Sequence, residues 1–247
     1  IDRAAKADMA GVLSHPTKNI IQAVQSTFTR RRWQVLDKSI EKDFEVLGKV
    51  ADGDFFVTSR TQDDSQWIVA YLMDTGPVRY YLYDHGHKKA KFLFTNRAQL
   101  EGLKLARMHP QVVKSRDGLN LVSYYTLPVW TDPDGDGRPD KPQPMVLFVH
   151  GGPWARDNWG FNPYHQWLAN RGYAVMSVNY RGSTGLGKNF TNAGDMEWAG
   201  KMHDDLIDAV RADADWPLEF EGRTFRTLKA RELWDRMMRA TYDYAEP

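Results

Sequence analysis

A chain of 247 residues, 42% apolar and 26% charged, has the composition of a folded globular protein, which excludes disorder as its default state. Thirty-three Lys and Arg against 32 Asp and Glu leave a net charge of +1, so no global field draws nucleic acid or an anionic membrane surface. The absence of cysteine excludes disulfides, thiolate nucleophiles and every Cys-ligated metal site, and apolar runs such as 146–149 and 174–178 fall far short of the ~18 residues a membrane helix needs.

The sequence begins at Ile1 without a charged-then-apolar leader. The expectation is a soluble chain that has either lost a signal peptide or is an internal piece, with cytoplasm and periplasm equally open.

Residues 22–33 read as mixed and basic. Asp37 then caps a short helix in which Ile40, Phe44 and Leu47 recur at helical spacing, with Gly48 near its end. Four β-rich runs follow, at 55–59, 67–73, 78–83 and 91–94. Their separators, Asp63-Asp64-Ser65, Asp74-Thr75-Gly76-Pro77 and Asp84-His85-Gly86-His87, suit tight antiparallel connections. Such a meander is the size of one β-propeller blade, a unit that needs neighbours to cover both faces.

Beyond Pro110, runs 111–114 and 121–127 form a predicted hairpin around Arg116-Asp117-Gly118. Runs 145–149 and 173–178 are almost continuously apolar, the pattern of parallel strands covered on both faces, and they flank a helix over 163–170 that Gly172 ends. A second amphipathic helix spans 201–210, with Met202, Leu206 and Val210 on one face. Hairpin, strand, helix, strand and helix describe the opening half of an α/β-hydrolase sheet. The fold class is therefore α/β: a blade remnant over 1–108, a partial hydrolase sheet over 109–210, and a C-terminal segment over 211–247 with a helix at 227–244.

The chemistry is concentrated in Phe148-Val149-His150-Gly151-Gly152-Pro153-Trp154. Two glycines directly after a buried strand let bare backbone approach a ligand and aim N–H groups at an oxyanion; a plain strand-to-helix turn uses the same residues. The flanks favour the first reading. His150, Gly151, Gly152 and Pro153, followed by the turn Asn179-Tyr180-Arg181-Gly182-Ser183-Thr184-Gly185 and by Asp195-Met196-Glu197-Trp198-Ala199-Gly200, resemble the prolyl oligopeptidase family of serine peptidases, in the order that family uses. His203-Asp204-Asp205 resembles the helix that comes next.

That resemblance implies a β-propeller over an α/β-hydrolase domain, a peptide substrate, no cofactor, and hydrolysis by a Ser, Asp, His triad with the Ser on an elbow after the His203 helix. None of the nine Ser residues named by position 14, 26, 39, 59, 65, 115, 123, 177 and 183 lies in Gly-x-Ser-x-Gly. Ser183 has Arg181 where that pattern needs glycine, and is assigned to a structural turn. His150 is assigned to bracing the loop. The expected function is a serine-peptidase fragment, truncated and inactive as it stands. The alternative is a noncatalytic interaction module that self-associates through an exposed sheet edge.

Two weaker signals complete the reading. Residues 213–247 resemble a segment of the large subunit of adenosylcobalamin-dependent ribonucleotide reductases without that family's cysteines, which suggests a fusion or a mis-joined frame. Asp132, Asp134, Asp136 and Asp140, with Gly137 at the sixth position, have the spacing of an oxygen-ligand calcium loop, but Gln143 stands where a bidentate Glu belongs. A solvated connector is the favoured role.

Overall fold

The computed structural model describes residues 6–139, 141–211, 216–220 and 223–228. Its N-terminal part is built from two antiparallel sheets. Strands β1 (Met9–Ser14), β2 (Ile21–Thr27) and β3 (Arg31–Val35) pair in sequence order. The mixed, basic stretch expected at 22–33 is thus two strands: Gln22 and Ala23 are buried, and the Arg30–Arg31 turn is held by Asp54, which accepts from the Arg30 Nε at 2.9 Å and the Arg31 backbone N–H at 2.9 Å. Charge-assisted turn contacts outweigh the weak apolar alternation that the sequence offered.

Asp37 caps the turn Lys38–Ile40 by accepting from the Ser39 N–H, and α1 (Glu41–Leu47) continues it. The four anticipated β-runs form one meander, β4 (Asp54–Arg60), β5 (Gln66–Leu72), β6 (Arg79–Asp84) and β7 (Lys89–Thr95). Trp67, Val69, Tyr71 and Tyr83 are fully buried beneath it, against Ile40 and Leu47 of the helical turn. The Tyr71 hydroxyl reaches the Leu47 carbonyl at 2.7 Å, so the aromatic layer is anchored as well as packed.

The second sheet has the order β10-β11-β9-β8. Here β8 (Met108–Lys114) and β9 (Asn120–Thr126) form the hairpin, and β10 (Met145–Leu147) runs parallel to β11 (Ala174–Val178). All five residues of β11 are buried, as its unbroken apolar run requires, because β10 and β9 flank it and the helix that joins β10 to β11 packs against it. Between the parallel strands lies α2 (Pro163–Ala169), whose N-cap Asn162 accepts from the backbone of Tyr164 and His165. A short α3 (Lys188–Asn192), which the sequence pattern did not announce, precedes α4 (Lys201–Arg211). Leu121, Tyr124, Met176, Val178 and Leu206 form the centre of this core.

At the C-terminal side, β12 (Trp216–Phe220) and β13 (Arg223–Leu228) pair antiparallel. The helix expected from Thr227 is corrected at its start: Thr227 and Leu228 belong to β13, in which Thr224, Phe225 and Thr227 favour an extended chain. The rest of that expected helix lies outside the described residues.

The two parts are tied by specific polar contacts. The Met108 N–H donates to Asp74 at 3.0 Å, the Gln166 amide pairs with both backbone groups of Ala106, and the Phe161 N–H reaches the Met73 carbonyl at 2.7 Å.

Candidate active site

The glycine loop leaves the sheet directly after β10, and the Phe148 N–H still bonds the Met176 carbonyl at 2.8 Å, extending the parallel ladder by one residue. Gly151 and Gly152 then lie exposed at the surface. Gly152 has φ of 138°, and a Cβ there would sit 2.7 Å from the Trp154 backbone nitrogen. Only glycine fits, and the bare backbone is what an oxyanion donor pair needs. The Gly152-Pro153 peptide is cis.

The loop is braced from the Asn179–Ser183 turn. The ring of Tyr180 stacks on His150 at 4.6 Å, and the Tyr180 hydroxyl donates to the His150 carbonyl at 3.0 Å. His150 Nε2 lies 3.0 Å from Ser183 Oγ, while Ser183 donates its own hydrogen to the Tyr180 carbonyl at 2.6 Å. Sequence reasoning kept His150 and Ser183 apart in role and did not foresee that they touch. Ser183 is fully buried and its hydroxyl proton is committed, so the pair has the geometry of a brace rather than of an exposed nucleophile and base.

The turn itself is held by a buried ion cluster. Arg181 donates to Asp205 through Nε at 2.9 Å, Nη2 at 2.7 Å and its backbone N–H at 2.8 Å, and grips Asp117 with its other edge at 2.8 and 2.9 Å. Asp205 is fully buried. The hydrogen bonds from Arg181, then that from Ser115, hold the Asp117 carboxyl far below its ordinary range.

Two further residues join the brace. Asp157 exchanges hydrogen bonds with Asn179, its N–H to Oδ1 at 2.8 Å and its carbonyl from Nδ2 at 3.1 Å, and burial raises its carboxyl against the pull of nearby His150. Behind them, buried His165 sits between the hydroxyls of Thr126 at 3.0 Å and Ser177 at 2.8 Å, and burial lowers its ring to about 4.

Arg156 connects this loop to the N-terminal part. Its Nη1 and Nη2 donate to the carbonyls of Thr27 and Phe28, each at 3.0 Å. Tyr124 adds a bond to the Thr29 carbonyl at 2.9 Å, and the Arg30 guanidinium lies 3.3 Å from the ring centre of Trp159.

The acidic loop brings one carboxylate oxygen each of Asp132, Asp134 and Asp136 within 4.8 Å of one another. Asp140 lies outside the described residues. Asp132 is already engaged by His109 at 2.8 Å and by the Gly137 N–H at 2.9 Å, contacts that hold the loop without an ion.

Residues 159–216 match the prolyl oligopeptidase family. The chain is also 53% identical over 207 residues to dipeptidyl aminopeptidase BIII of Pseudoxanthomonas mexicana, an alignment covering 84% of this chain and 30% of that protein. It is 37% identical over 222 residues to dipeptidyl peptidase family member 6 of Caenorhabditis elegans, again covering 84% of this chain and 30% of the relative. Among solved structures, the acylaminoacyl peptidase of Pyrococcus horikoshii superposes with a TM-score of 0.59 at 20% identity, over 84% of this chain and 31% of that one, which speaks for the fold. These matches support the prolyl oligopeptidase family for this chain, which spans about 30% of the length of the relatives it matches. They lend no support to the ribonucleotide reductase resemblance of residues 213–247, and the family match runs on to residue 216, past the Val210 boundary expected from sequence.

Proposed function

We propose that this chain supplies the oxyanion loop and the first strands of a serine peptidase of the dipeptidyl-peptidase kind, acting on peptides. The observation that carries the reading is the exposed Gly151-Gly152 backbone that follows β10, with Gly152 shaped so that no side chain fits and the neighbouring His150 held by Tyr180 and Ser183. A rigid pair of N–H donors aimed at developing negative charge stabilises an acyl-transfer transition state by about 3 kcal/mol per donor. The similarity to two dipeptidyl peptidases supports the same reading and favours it over the interaction module.

The 247 residues contain no Gly-x-Ser-x-Gly, so the reaction needs a nucleophile that this stretch does not supply, and the polypeptide by itself is inactive. The test is a chimera in which residues 1–210 are joined to the remainder of the Pseudoxanthomonas relative. Hydrolysis of a dipeptide anilide is expected, with Gly152→Val lowering kcat by about 10²- to 10³-fold. A chimera that folds but turns over equally well with and without Gly152 removes the oxyanion role.

A further inference from the structure

A cavity of about 410 Å³ lies between the N-terminal sheets and the hydrolase part, lined among others by Gln25, Arg31, Asp54, Arg156, Asn158 and Trp159. None of the residues His150–Pro153 lines it. Its volume is in the range of small-molecule sites, roughly 300–1,000 Å³.

The charged groups on its wall are not equivalent. Arg156 spends both terminal nitrogens on the Thr27 and Phe28 carbonyls. Asp54 accepts from Arg30 and from the Arg31 backbone, and Asp8, the other carboxylate on the wall, accepts from the Gly187 N–H at 3.2 Å. The Arg31 guanidinium is different: it lies 4.7 Å from the Phe56 ring centre, and among the described residues its side-chain N–H groups have no hydrogen-bond or ion-pair acceptor. Burial disfavours its charge, against the attraction of Asp54. A partly desolvated guanidinium is a planar fork that matches a carboxylate with two parallel hydrogen bonds. Around it stand the indole of Trp159 and Leu72 as apolar wall and the amides of Gln25 and Asn158 as partners for peptide groups.

We infer that this cavity binds a short peptide through its free C-terminal carboxylate, seated on Arg31. The site is separate from the oxyanion loop, and the inference does not rest on the peptidase reading, since binding needs no turnover.

Calorimetric titration of the full chain with dialanine, dialanine amide and inorganic phosphate tests it. Dialanine is expected to bind with Kd below about 1 mM, and the amide at least about tenfold more weakly. Arg31→Gln, shown to be folded by its circular dichroism, should lose the preference for the acid. Asn158→Trp, at an exposed position on the rim, should block binding while leaving the fold unchanged. Equal affinity for acid and amide, phosphate binding as tight as dialanine, binding that survives Arg31→Gln, or no heat with any ligand overturns the inference. The acid and amide comparison uses the unmodified chain, so it stands even if Arg31→Gln fails to fold.

Discussion

His165 should make this protein's stability depend on pH between 4 and 6.5 by an amount readable from one side chain. The ring is 1% exposed, contacts only hydroxyls through its nitrogens, and is lowered by burial from 6.5 to about 4. A neutral imidazole has one donor and one acceptor, and the rotatable hydroxyls of Thr126 and Ser177 satisfy both. An added proton would put an unpaired charge in the core. In the unfolded chain the same ring takes up its proton near 6.5, so between 6.5 and 4 the unfolded state binds more protons and stability falls as pH falls. The stabilisation of the neutral form is complete above 6.5, and the fall from 6.5 to about 4 removes about 3 kcal/mol. Urea melts followed by tryptophan fluorescence from pH 7 to pH 4, on the wild type and on His165→Gln, isolate this group because every other titration is shared. The Gln variant should be less stable at pH 7, and the gap should narrow by about 3 kcal/mol at pH 4. A gap that stays constant across that range would refute the assignment of a buried neutral ring.

Three other outcomes are expected. Asp205→Ala leaves the buried Arg181 without its main partner and should cost about 3–5 kcal/mol in urea unfolding, whereas Asp117→Ala, at a half-exposed carboxylate, should cost about 1 kcal/mol or less. Arg156→Leu removes two charge-assisted bonds to backbone carbonyls, and hydrogen exchange at Gly151, Gly152 and residues 28–30 should quicken together by at least about tenfold. A fluorophosphonate probe should label no serine of the 247-residue polypeptide, and mass-spectrometric mapping of adduct on Ser183 would contradict its burial.

Much of the fold was legible because its signals are local. Turn residues bracketed the meander, and the unbroken apolar run of β11 announced a strand covered on both faces, which the burial of all five of its residues bears out. β2 and β3 escaped notice because their register is set by Asp54, more than twenty residues away, acting on Arg30 and Arg31. In the site, the two glycines were readable since backbone without side chains is a property of the sequence itself. The brace was not: the meeting of His150 with Ser183 and Tyr180, or of Arg181 with Asp117 and Asp205, depends on how distant strands cross. The double aspartate in His203-Asp204-Asp205 was a visible signal for that ion cluster, although nothing local told which carboxylate turns inward.

Arg156 has a consequence for anyone who recombines such proteins. Its guanidinium reads main-chain carbonyls, not side chains, so it tolerates any residue types at positions 27 and 28 while demanding that their peptide groups stay in place. A graft that exchanges the N-terminal sheets for those of a relative keeps this anchor whatever side chain stands at position 27, although Phe28 also packs on the hydrolase core, but a one-residue insertion there would strip the glycine loop of its anchor. Loop length at the β2–β3 bend, rather than percentage identity, is the variable by which grafts should be chosen.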